Sequence, residues 1–120
     1  MKIIYQGYFF SNEKNALEIA KSEFLKYFNI TNNFIFFLHS VSEEESIKLN
    51  MLYFKKNLPA DVLTIPLYKS TKEIYKLNKD NEEVLGDLFI NRKLIKKNAL
   101  KYKKTIAEEL QLVLIHGLLH

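Results

Sequence analysis

A chain of 120 residues, 48% apolar and 27% charged, has the makeup of one folded domain with its own core, which excludes a disordered polypeptide. With no cysteine, disulfide frameworks, thiolate metal sites and thiol nucleophiles are excluded. Without a signal-peptide core or a run near the roughly 20 apolar residues that span a bilayer, a soluble cytoplasmic protein with no membrane partner is expected.

In chain order, aromatic and β-branched residues at 2–10 predict a first strand. Asn12 is placed to cap a helix reaching residue 28, with Ala16, Leu17, Ala20, Phe24, Leu25 and Phe28 on its inward face. Residues 29–33 read as a turn. The continuous apolar run 34–41 reads as a central strand. Ser42 and Glu45 have capping-box spacing and open a second helix, which the 57–60 segment with Pro59 ends.

Residues 61–67 form a short third strand, limited by Pro66. The polar stretch 68–82 reads as a long connection, with a helical turn begun by Ser70 and Glu73. A fourth strand follows at 83–91, broken or bulged at Gly86-Asp87. Asn91 caps a helix to residue 102. Thr105 and Glu108 form a second capping box, opening a last helix to residue 120 that is apolar nearly all round from Leu110 to Leu119 and is expected to be buried. The order predicts a single α+β domain: a four-stranded mixed sheet packed with helices, ending in a long C-terminal helix.

The net charge is +4 and Arg92 is the sole arginine. Between residues 92 and 104 stand seven cations and no acid, including Arg92, Lys96, Lys97, Lys101 and Lys104. Such a block suits the phosphates of a polyanion; a solvated helix face is the plain alternative. His116 and His120 stand at i and i+4, a spacing that lets both imidazoles reach one cation. Gly117 follows the first of them and leaves room for backbone or ligand. The H-E-x-x-H protease arrangement is absent, because Gly117 stands where its glutamate would be. His39 reads as a strand-end residue, Asp61 as a turn or cap residue, Asp87 as a bulge residue, and Glu109 as a partner of the helix N-terminus.

Three segments carry a resemblance to a known family. They are Asn50 to Pro66, with Asn50, Lys56, Pro59, Asp61, Val62, Leu63 and Pro66; Leu85-Gly86-Asp87-Leu88; and Glu109-Leu110 followed by Val113 to His120. Together they resemble the YbeY family of metal-dependent endoribonucleases, implicated in ribosomal RNA maturation. The resemblance implies a zinc ion held by three histidines, of which His116 and His120 match the first two. The third would stand six residues after His120, past position 120, so a truncated chain with little stoichiometric zinc and weak or no nuclease activity is expected. The family's arginine, four residues after the position of Asn50, is replaced by Phe54. Lys55 and Lys56 are the adjacent cations, but as point charges rather than bidentate forks.

The resulting expectation is a single-strand-specific endoribonuclease of rRNA maturation and ribosome quality control. Its partners would be ribosomal RNA and the small ribosomal subunit, with no DNA. RNA would meet Lys55, Lys56, Arg92, Lys96, Lys97, Lys101 and Lys104. The alternative is a non-catalytic RNA- or ribosome-binding remnant with an incomplete metal site.

Overall fold

A computed structural model describes residues 1–30, 33–66 and 83–119. The elements run β1 (Lys2–Gln6), α1 (Ser11–Tyr27), β2 (Phe34–Val41), α2 (Glu43–Phe54), β3 (Val62–Pro66), β4 (Glu83–Asn91), α3 (Arg92–Lys101) and α4 (Ile106–Leu119). The sheet order is β1-β2-β4-β3. β1 and β4 flank β2 in parallel, and β3 closes the sheet antiparallel to β4. This is the expected α+β mixed sheet. The reading of residues 68–82 as a connection with a helical turn lies outside the described residues.

Local chemistry sets most boundaries. At α2, Ser42 Oγ accepts from the Glu45 N–H at 3.1 Å, and Glu45 reaches back to the Ser42 N–H. Thr105 and Glu108 form the same reciprocal pair at α4, each bond 3.1 Å long. Both satisfy amides that the first helical turn leaves unpaired. At α3, Asn91 Oδ1 accepts from the Leu94 N–H.

The first strand is shorter than expected, ending at Gln6, and α1 begins beyond Phe10 rather than at an Asn12 cap. The reason is Glu13, whose carboxylate accepts from the Phe10 N–H at 2.7 Å and fixes the helix start there. The irregularity in β4 lies one residue earlier than expected. Ile35 pairs with Val84 and Phe36 with Gly86, so Leu85 is the extra residue. Gly86 takes φ 150°, a conformation open to a residue without Cβ.

The core lies between one face of the sheet and helices α1, α3 and α4. Ile3, Phe36, Leu38, Leu88 and Ile90 meet Leu17, Ala20, Ile95, Leu110, Val113 and Leu114. Strand alternation sends the intervening residues, among them Phe37, His39, Asp87 and Phe89, to the opposite face. Helix α4 departs from the expectation of burial all round. Leu110, Val113 and Leu114 are buried and Ile115 is partly so, while Leu112, His116 and Leu119 are exposed. A helix packed on one side of a sheet covers one stripe only, whatever its residues are. Among the described residues no helix is long and apolar enough to cross a membrane.

Candidate functional site

The C-terminal half of α4 is drawn tightly onto the sheet. A Cβ on Gly117 would lie 2.7 Å from Leu88 Cδ2 and 3.0 Å from Val62 Cγ2, so only glycine fits without displacement. The room at this glycine is taken by the sheet, not by a ligand. Thr64 on β3 adds a tie, its hydroxyl donating to the Gly117 carbonyl at 2.9 Å. These two contacts set the height of the neighbouring His116 over β3.

His116 emerges at the rim of a cavity of about 340 Å³. Asn50 and Phe54 of α2, Lys56 and Leu58 of the following loop, and Thr64 of β3 also line it. The loop is held by Asn50, which is buried and whose amide donates to the Leu58 carbonyl at 2.9 Å. Lys55 ends α2 in a left-handed conformation, φ 56°, which turns the chain toward the cavity. The structure therefore gathers three sequence candidates, His116, Lys56 and the Phe54 position, around one hollow. Asp61 serves the turn before β3, its carboxylate accepting from the Val62 N–H.

Among the described residues, no group of three or more His, Cys, Asp or Glu side chains is close enough to hold a metal ion. His116 is the one imidazole that they bring to the cavity, and His120 lies outside them. The described residues alone do not make up a zinc ligand set.

The basic block sits elsewhere. Lys96 lines a separate hollow with Phe10, Asn12, Glu13, Ile106 and Ala107, at the N-terminal end of α4. His116 is ten residues further along that helix, about 15 Å at 1.5 Å per residue. Arg92, expected to meet RNA, is instead committed inside the protein. Its Nε and Nη2 donate to both oxygens of the nearly buried Glu13 carboxylate at 2.9 and 2.8 Å. Nη1 also donates to the Tyr8 carbonyl, and the guanidinium lies 5.1 Å from the centre of the Phe10 ring. Three of the five guanidinium N–H groups are thus taken by the protein, and the Nε/Nη2 fork is held by the Glu13 carboxylate. Lys93 pairs loosely with Glu43, and Lys104 lies 4.0 Å from Glu109, a buried carboxylate in the first turn of α4.

One pair of side chains escaped the sequence reading. His39 Nε2 donates to Asp87 Oδ1 at 2.8 Å, and the His39 ring stacks on Phe89. The residues are 48 positions apart, and only the parallel pairing of β2 with β4 joins them. The one hint in the sequence is a histidine inside an apolar strand.

Comparison with known proteins adds to this geometry. The family model described as Endoribonuclease YbeY matches residues 9–120. Endoribonuclease YbeY of Mycoplasmoides gallisepticum is 35% identical over 104 residues, which cover 87% of this chain and 59% of that protein. Its namesake from Karelsulcia muelleri is 32% identical over 117 residues, covering 98% and 70%. The solution structure of TM1509 from Thermotoga maritima superimposes with a TM-score of 0.65 at 28% identity, over all of this chain and 71% of that one. The chain thus spans about three fifths of the length of the first of these relatives. A match over nearly its whole length, together with the shared fold, places the chain in the Endoribonuclease YbeY family.

Proposed function

We propose that this protein is a metal-dependent endoribonuclease acting on single-stranded RNA, in the maturation and quality control of ribosomal RNA in the cytoplasm. The observation that carries this is the cavity where His116 and Lys56 meet over β3, in a chain of this family. Lys56 is placed to hold an RNA phosphate beside His116, with Lys55 next to it. Exposed lysines of the 92–104 block, Lys96, Lys97, Lys101 and Lys104, extend the contact to neighbouring phosphates, and Arg92 anchors their helix to α1. Zinc belongs to the proposal, bound through His116 and His120. The ribosomal small subunit is the partner in which such RNA is met.

A second reading is supported by Phe54 at the arginine position and by the single imidazole among the described lining residues. On that reading the chain binds RNA without cutting it.

One experiment separates the two. Labelled single-stranded and duplex RNA are incubated with the protein and with His116→Ala, and zinc per chain is measured by elemental analysis after dialysis. Cleavage of the single strand alone, lost in His116→Ala, supports the nuclease. Binding without cleavage and without retained zinc, persisting when the chain is extended to carry a histidine six residues beyond His120, overturns it in favour of the binding module.

A further inference from the structure

On the sheet face turned away from α1 and α4, Gln6, His39, Phe89 and Leu63 stand in one row across the four strands. Phe89 stacks on His39, ring centroids 4.4 Å apart and planes 15° from parallel. Asp87 accepts from His39 Nε2 at 2.8 Å and fixes the orientation of the imidazole. Phe89 thus covers one face of the ring from β4, and the other face is turned toward β1, where the exposed Gln6 ends the strand. At this place a cavity of about 400 Å³ opens, walled by Gln6, Gly7, His39 and Phe89 and, from α2, by Glu45 and Lys48. It lies outside the carboxyl ends of parallel strands β1 and β2, where open sheets commonly take ligands. The nuclease reading uses none of these residues.

We propose that this cavity is a subsite for one unpaired base of an RNA strand, stacked on the His39 ring, hydrogen-bonded by the Gln6 amide and flanked by Lys48 on the adjoining phosphate. The size falls within the range of small-ligand pockets, roughly 300–1,000 Å³. A flat ring held rigid by a carboxylate and a second ring is the kind of platform on which unpaired bases stack. The amide supplies both a donor and an acceptor to a base edge.

Position points to a strand rather than a free nucleotide. Lys48 in this cavity and Phe54 in the His116 cavity are six residues apart on α2, about 9 Å along its axis. A single strand crossing α2 can place a base in one hollow and a phosphate in the other. The inference rests on the nuclease reading and assigns it a base-recognition site distinct from the cleavage cavity.

The test is fluorescence anisotropy with labelled single-stranded 2′-O-methyl RNA of about ten nucleotides, a length suited to such sites. One abasic nucleotide is moved along the strand. With the wild-type protein, loss of the base at one position is expected to weaken binding about ten-fold, within the range for a stacked base. His39→Ala is expected to weaken the intact strand comparably and to abolish the sensitivity to that abasic position. Gln6→Ala, an exposed residue at a strand end, is expected to reduce the same sensitivity without disturbing the fold. An abasic profile that is flat, or that is unchanged in both variants, overturns the subsite and leaves the nuclease reading standing. Failure of the wild-type protein to bind any strand overturns both.

Discussion

The two ends of helix α4 meet different surroundings. At its start, Thr105 and Glu108 cap the helix in full solvent, and nearby Lys96 lines a hollow shared with the start of α1. At its far end, Gly117 presses on Leu88 and Val62, Thr64 ties the backbone, and His116 opens into a cavity shared with α2 and β3. The cap at the first end is built from neighbours in sequence, Thr105 and Glu108. The second end is built from residues 29 to 66 positions upstream of Gly117 and His116, so a change there moves the candidate site. Local bonds make an element; contacts between elements give it a chemical position.

The largest expected effect joins the two ends. Leu114 is fully buried between them. Leu114→Ala is expected to cost about 2–5 kcal/mol, the range for a deleted core side chain, read as a shift of the urea midpoint. A cost below about 1 kcal/mol would mean that α4 does not pack as described.

Next comes the site end alone. Gly117→Val puts side-chain atoms where Leu88 and Val62 already stand, and overpacking of this kind costs about 1–3 kcal/mol. Because the helix must lift, His116 moves with it. On the proposed nuclease reading, RNA cleavage is therefore expected to fall more than in Leu112→Ala, which alters an exposed residue of the same helix. Equal activity in the two variants would break the link between close packing and site geometry.

A smaller effect is expected at the capped end. Thr105→Ala removes the acceptor of the Glu108 N–H and should cost about 1 kcal/mol, the usual worth of an N-cap. The pH dependence has a definite sign. The hydrogen bond from the Thr105 backbone N–H holds the Glu108 carboxyl below its ordinary pKa. The contribution is thus present at neutral pH and is lost as pH falls through the acidic range, when the carboxylate takes up a proton. Glu108→Gln should flatten that part of the urea-midpoint-versus-pH curve; an unchanged curve would remove the box from the account.

The smallest effect on stability, and the one that isolates the basic region, comes from changing Lys96, Lys97, Lys101 and Lys104 to glutamine. These side chains are exposed, and stability should change by no more than about 0.5 kcal/mol at each of Lys96, Lys97 and Lys101, and by more at Lys104, which faces the buried Glu109 carboxylate. Binding of single-stranded RNA should weaken, and its logarithmic salt dependence should flatten by about 0.7 for each phosphate that the protein no longer neutralises. Unchanged affinity and slope would return these lysines to the solvent and leave RNA binding to Lys55 and Lys56.

Several features were legible from residue order alone because their causes are local. The capping boxes at Ser42 and Thr105, the Asn91 cap and the eight elements of the described residues follow from patterns within a few residues. The Asn50, Gly86-Asp87 and His116 motifs carried the family resemblance that the comparisons bear out. The sequence also held the facts that Phe54 replaces an arginine and that His116 and His120 share an i, i+4 spacing.

Tertiary structure decided what these residues do. Arg92 looked like one cation of a basic block, but a buried carboxylate 79 residues away takes its guanidinium. His39 looked like the end of a strand, but the parallel register sets it against Asp87 and Phe89. Gly117 looked like space for a ligand, but β3 and β4 fill that space. The physical reason is the same in each case. Hydrogen-bond caps and periodic apolar faces act over one or two helical turns, so the sequence encodes them directly. The partner of a charge, a ring or a glycine is chosen by which strands pair and in what register, and pairing joins residues that the chain order keeps far apart.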